Sequence, residues 1–119
     1  MQKYINVSYH NGFVHETVIA RSIIEEARKH GNVKEIHLEI GELAHVPSND
    51  LLRCLKEIVR WKIVSSDVMA KARCDCGFEG HPDILDRGHD YFYIECPRCR
   101  NIPTLIKGQD IKILKVVAE

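Results

Sequence analysis

No run of eighteen apolar residues occurs in the 119-residue sequence, so no segment is long enough to cross a bilayer as a helix. Met1 to Phe13 hold one lysine and no apolar run, which is not the pattern of a secretory leader. An excess of one charge is also missing, with 17 Lys+Arg against 17 Asp+Glu. A nucleic-acid binder ordinarily carries a basic excess or a basic face, and an anionic membrane surface selects polybasic segments. Neither partner is expected here. No internal repeat, low-complexity tract, phosphate-binding loop or nucleophile–base pair is visible, so the chain is not read as an enzyme. A protein of the cytoplasm is expected, and there paired cysteines point to metal rather than to disulfides.

What is present is ordinary globular material with one unusual segment. Apolar residues make up 45 %, enough for a core. Residues 15–30 read as a helix, with Val18, Ile19, Ile23 and Ala27 on one side and Gly31 after a basic last turn. Residues 33–41 read as a strand, because Ile36, Leu38 and Ile40 alternate with Glu35, His37 and Glu39. Residues 49–63 read as a second helix carrying Leu51, Leu52, Leu55, Ile58, Val59 and Trp61 on its apolar side. Val68, Ala70 and Ala72 suggest a short strand, and 110–117 a last one. The expected class is α+β, a small three-stranded sheet with two helices on one face. Residues 1–13 carry no strong pattern and read as a short strand or an arm.

Residues 74–99 differ in kind. They hold Cys74, Cys76, Cys96 and Cys99 with three glycines and two prolines, and little apolar material before Tyr91. So small a unit lacks the means to build its own core. Two close cysteine pairs can supply four thiolates to one tetrahedral Zn(II), a closed and therefore structural site. Cys96-Pro-Arg-Cys99 has the usual spacing of a zinc-ribbon half. Cys74-Asp-Cys76 is shorter by one residue, which makes His81 and His89 candidate substitutes. Cys54 lies apart beside Leu51, Leu55 and Ile58, where a small buried apolar residue is the plainer reading than a reactive thiol. His15-Glu16 opens the first helix. On the residues alone a solvated first turn, with Glu16 favoured by the helix dipole, outweighs a site.

The assembly changes that balance. Val14-His15-Glu16, a helix, then Leu38-Glu39-Ile40-Gly41-Glu42-Leu43, then Cys-x-Cys-Gly and Cys-Pro-Arg-Cys, resembles the hydrogenase nickel-incorporation factors of the HypA/HybF type over residues 14 to about 117. The resemblance implies a nickel metallochaperone. Such proteins begin Met-His-Glu and hold Ni(II) through the histidine side chain, nearby backbone nitrogens and the terminal amine. They pass it to the large subunit of nickel-iron hydrogenase with the help of a partner GTPase. Carried onto this chain, His15 and Glu16 become the nickel residues, and the four cysteines a structural zinc site. Residues 14–73 with 100–119 then form the nickel-binding α+β unit, 74–99 the inserted zinc module, and 1–13 an N-terminal extension. The client is a hydrogenase or a urease, and the carrier a monomer or weak homodimer. The competing reading is a zinc-ribbon adaptor without nickel function.

Three departures from the family pattern stand out. Thirteen residues and Val14 precede His15, so a terminal amine is not beside it. A GUG codon at Val14 read as an initiating methionine would restore Met-His-Glu. Otherwise the nickel ligands must be rebuilt with Glu16, His10 or a second subunit, or nickel binding is weakened or lost. The other departures are the short Cys74-x-Cys76 half and Arg100, where the family usually has glycine.

Overall fold

The structure, a computed structural model, describes residues 5–7, 16–44, 46–88 and 91–119. Its elements run β1 (Ile5–Val7), α1 (Glu16–Arg28), β2 (Val33–Gly41), α2 (Ser48–Ile58), β3 (Lys62–Val68), β4 (Lys71–Arg73), β5 (Glu79–Gly80), β6 (Asp83–Arg87), β7 (Phe92–Glu95), β8 (Thr104–Lys107) and β9 (Ile111–Ala118). The main sheet has the order β1-β9-β2-β3. β9 runs antiparallel to β1 and β2, and β3 runs parallel to β2. The α+β expectation holds, but this sheet has four strands rather than three, because Ile5–Val7 adds an edge against Val7↔Ile111 and Ile5↔Ile113.

β2 forms as its alternation dictates. Ile36, Leu38 and Ile40 are buried, while Glu35, His37 and Glu39 stay half-buried on the opposite face. Both helices cover the apolar face. Ile19, Ile23 and Ala27 of α1 and Leu51 and Leu55 of α2 join Leu38, Ile113 and Val116 in one core. Val18 is not part of it, being about half exposed; the buried stripe of α1 runs through Ile19, Ala20, Ile23, Ile24 and Ala27 instead.

The second helix is shorter than its apolar pattern suggests. It ends at Ile58, and Val59 turns into extended backbone (φ −125°, ψ 157°). The β-branched Ile63 and Val64 then pair with Ile36 and His37 as β3. Trp61 lies in the connection, its ring under the Arg28 guanidinium at 5.8 Å. The strand expected across Val68 to Ala72 is in fact two strands in different sheets. β3 closes the main sheet at Val68, and β4 begins a second sheet, β5-β4-β8. A separate hairpin joins β6 to β7.

The chain passes between the main sheet and this second region at two places, residues 68–71 and 107–111. There the backbones are in direct contact. A Cβ on Gly41 would lie 2.3 Å from the Gly108 carbonyl oxygen and 2.4 Å from its carbon, and one on Gly108 would lie 2.6 Å from the Ala70 Cα. Backbone atoms cannot step aside as a flexible side chain can, so Gly41→Ala must push β2 off the 107–111 segment. Overpacking of this kind costs about 1–3 kcal/mol, and a lowered midpoint in chemical denaturation is the expected readout.

The second region does not build a core alone. Leu43, from the turn after β2, packs with Ala70 and Ile94 and is flanked by Ile84, Phe92 and Leu105. The expectation that the cysteine segment is too small to bury its own apolar surface is thus met by a residue borrowed from outside it.

Candidate metal centre

Two tight turns present the cysteines. In the first, the Gly77 amide donates to the Cys74 carbonyl (3.0 Å) and the Cys74 amide to the Phe78 carbonyl (2.9 Å). Gly77 has φ 97°, a left-handed conformation natural to glycine. In the second, the Arg100 amide donates to the Cys96 carbonyl (2.9 Å) and the Cys96 amide to the Asn101 carbonyl (2.8 Å). Arg100 takes φ 69° there, a conformation that costs a non-glycine residue on the order of 1–2 kcal/mol. Its guanidinium meets Glu95 (3.0 Å) and Asp83 (3.6 Å). These pairs are too exposed to offset more than part of that cost.

The turns bring all four sulfurs together. The four Sγ atoms lie within 4.8 Å of one another, with Cys74–Cys99 at 3.4 Å and Cys76–Cys96 at 3.7 Å. A tetrahedral zinc–thiolate site, with Zn–S near ~2.3 Å, has sulfur–sulfur edges near ~3.8 Å. The short Cys74-x-Cys76 spacing therefore still delivers both sulfurs to the group. Cys74 and Cys96 are buried, Cys99 is half-buried and Cys76 is exposed.

Two of these thiols are strongly perturbed. Burial works against the Cys96 thiolate, but the amides of Cys99 and Arg98 and the neighbouring Cys76 sulfur outweigh it and lower the thiol to about 7. Those two amides donate to Cys96 Sγ at 3.5 and 3.4 Å. The Cys76 amide favours the Cys74 thiolate, but the Cys99 sulfur and burial prevail and push that thiol up to about 12. Of these two thiols, Cys96 is the more readily ionised.

The remaining candidates divide. His81 is not part of the sulfur group; its Nε2 lies 2.8 Å from Glu42 Oε1. His89, His15 and His10 lie outside the described residues. Glu16 is the first residue of α1 and is half-buried. Cys54, half-buried on α2, packs against the main core with Sγ 3.7 Å from Thr17 Oγ1 on α1. This contact links the middle of α2 to the first turn of α1. No other trio of metal-ligating side chains converges among the described residues.

Glu42 has a role that sequence reasoning missed. Besides His81, its Oε1 accepts the Ala70 amide (2.8 Å). Burial opposes its charge, but the Ala70 amide, His81 and the Arg87 guanidinium hold its carboxyl below the usual carboxylate range. The only signal in the sequence was the Gly-Glu-Leu run itself, whose partners lie 28 and 39 residues away.

Residues 14–118 match the family model described as hydrogenase/urease nickel incorporation, metallochaperone, HypA. The chain belongs to this family. It is similar to the hydrogenase maturation factor HypA of Methanocaldococcus jannaschii, 34 % identical over 91 residues that cover 71 % of this chain and 70 % of that one. The HypA of Methanosarcina acetivorans is 27 % identical over 128 residues, covering 89 % and 96 %. In fold it is similar to the solution structure of the Ni metallochaperone HypA from Helicobacter pylori, with a TM-score of 0.57 at 18 % identity, covering 89 % of this chain and 100 % of that one. The chain is accordingly a metallochaperone of nickel incorporation for hydrogenase maturation and not an enzyme. Its four-cysteine group fits a zinc site. No helix among the described residues is long and apolar enough to cross a membrane.

Proposed function

We propose that this HypA-family chain carries Ni(II) at the mouth of α1, on His15 and Glu16, and that Cys74, Cys76, Cys96 and Cys99 hold a resident Zn(II) as scaffold. Nickel is the cargo. It is received and passed on in the cytoplasm, to the large subunit of a nickel-iron hydrogenase with a nickel-insertion GTPase as helper. The carrier works as a monomer or weak homodimer. Residues 74–99 act as the zinc module, and 14–73 with 100–119 as the nickel-binding unit.

The observation that carries the nickel assignment is the extent of the family match. It begins at residue 14, directly before His15-Glu16. An imidazole with neighbouring amide nitrogens gives the nitrogen-rich, square-planar set that suits Ni(II). A site with few side-chain ligands at a helix entrance can release its metal, as a carrier must. The zinc assignment is carried by the sulfur geometry. A closed four-thiolate shell leaves no open position for chemistry.

Nickel titration of two chains tests the reading. One is the full sequence; the other begins Met-His-Glu, with Met in place of Val14. A terminal amine next to His15 adds a ligand, so the shorter chain is expected to bind about one Ni(II) per chain at least tenfold more tightly. If neither chain binds nickel above the level of a His15→Ala control, the carrier assignment fails and the zinc-ribbon adaptor reading takes its place.

A further inference from the structure

The Gly41-Glu42-Leu43 run sits where the main sheet meets the cysteine-bearing region, and each of its residues faces across that junction. Gly41 gives up its Cβ to let β2 lie on Gly108. The Glu42 amide donates to the Val68 carbonyl (2.8 Å), and the Leu43 amide to the Gly108 carbonyl (2.8 Å). The Leu43 side chain enters the small core of Ala70 and Ile94. From the other side, Arg87 on β6 donates to the Glu42 and Ala44 carbonyls, and His81 reaches the Glu42 carboxylate. Beside these contacts a notch of about 300 Å³ opens between Pro47, Asp67, Met69 and Arg87. Gly41 and Glu42 line this notch as well, so the polar contacts stand on the flank that apolar packing leaves open.

We infer that Glu42 is the positioning residue that docks the cysteine-bearing region onto the main sheet, through a carboxylate shared by the Ala70 amide and His81. Leu43 supplies affinity, since burial of a leucine is favourable but non-directional. Glu42 supplies direction, because its Oε1 meets both the Ala70 amide and the His81 imidazole, and hydrogen bonds weaken steeply when misaligned. The docked angle fixes where the exposed Leu85 and Tyr93 of the β6–β7 hairpin stand relative to the start of α1. Only the consequence, that a client touching both places meets one geometry, rests on the nickel-carrier reading. The docking itself does not.

The test is ¹⁵N relaxation and residual dipolar couplings on the zinc-loaded full chain, without nickel. The parent protein is expected to tumble as one body. In Glu42→Ala, amides of 71–107 should relax with a correlation time clearly shorter than those of β2 and β9, and fit a separate alignment. His81→Ala should move in the same direction, and the double variant no further than Glu42→Ala, because the two residues form one contact. Glu42→Gln, which keeps an acceptor oxygen for both donors, should stay docked. Zinc content should remain about one per chain throughout. A Glu42→Ala protein that still tumbles as one body, or a parent that already tumbles as two, overturns the inference. Should Glu42→Ala fail to fold, His81→Ala decides the matter, since its side chain is partly exposed and fills no core. Nickel stoichiometry, titrated separately, reports on the carrier reading alone.

Discussion

Cys96→Ser is expected to strip the zinc and unfold residues 71–107 while the main sheet and both helices survive. Cys96 is buried, accepts two backbone amides and has the thiol most ready to ionise of the two that are strongly perturbed. A serine hydroxyl there is a poor ligand for a soft site and leaves both amides with a weaker acceptor. Metal-binding energy in structural zinc units is on the order of 10–16 kcal/mol and is at the same time folding energy. The apolar alternative is small, three buried residues with a few partly covered neighbours. Burial of that size does not offset the loss of a ligand. The main core of α1, α2, β2 and β9 shares none of the four sulfurs. Zinc content by elemental analysis should fall well below one per chain. Amide signals of 71–107 should collapse toward unfolded positions, with those of β2 and β9 retained. Cys76→Ser is expected to do less, because Cys76 is exposed and water can complete the shell. A Cys96→Ser protein that keeps a full zinc complement and a folded β4–β8 sheet would remove the scaffold assignment.

How much of this was legible in the sequence depended on the range of the interactions involved. Ile36, Leu38 and Ile40 declare β2 because a half-buried strand repeats every two residues, a local signal. The cysteine pairs declare a metal group because four soft ligands in a short polar segment have few other uses. The end of α2 was not legible: Ile58, Val59, Trp61, Ile63 and Val64 suit a helix face and a strand equally until β3 pairs with β2. β4, β5 and β8 are two to four residues each, too short for any periodicity to appear. Gly41 and Glu42 could be recognised as a motif but not explained, since their contacts with Gly108, Ala70 and His81 are made by the folded chain alone. Leu43 reads as one more apolar residue, and only the fold shows that it serves the core of a different region.

His15→Ala is expected to abolish specific nickel binding and leave the rest of the protein unchanged. On the proposed reading the His15 imidazole is the anchoring side-chain donor, and amide nitrogens bind Ni(II) only when a stronger donor holds the metal beside them. Removing the anchor therefore removes the site rather than weakening it, a loss of at least a hundredfold in affinity, or about 2.7 kcal/mol at 1.36 kcal/mol per decade. No such loss should appear in stability. α1 is held by Ile19, Ile23 and Ala27 in the main core, and the zinc group is made by sulfurs from other segments. Calorimetric titration with Ni(II), paired with zinc analysis and thermal melting of the same sample, separates the two metals. In the parent, nickel affinity should fall as pH drops below about 6.5, because an ordinary imidazole must lose its proton before it can ligate. That direction is opposite to any role of a protonated histidine. Glu16→Gln distinguishes a ligand from a bystander: a carboxylate in the coordination shell gives a tenfold or greater loss, whereas a first-turn residue serving only the helix dipole leaves nickel affinity unchanged and costs a few tenths of a kcal/mol in stability. A His15→Ala chain that binds nickel as tightly as its parent would move the cargo site away from α1.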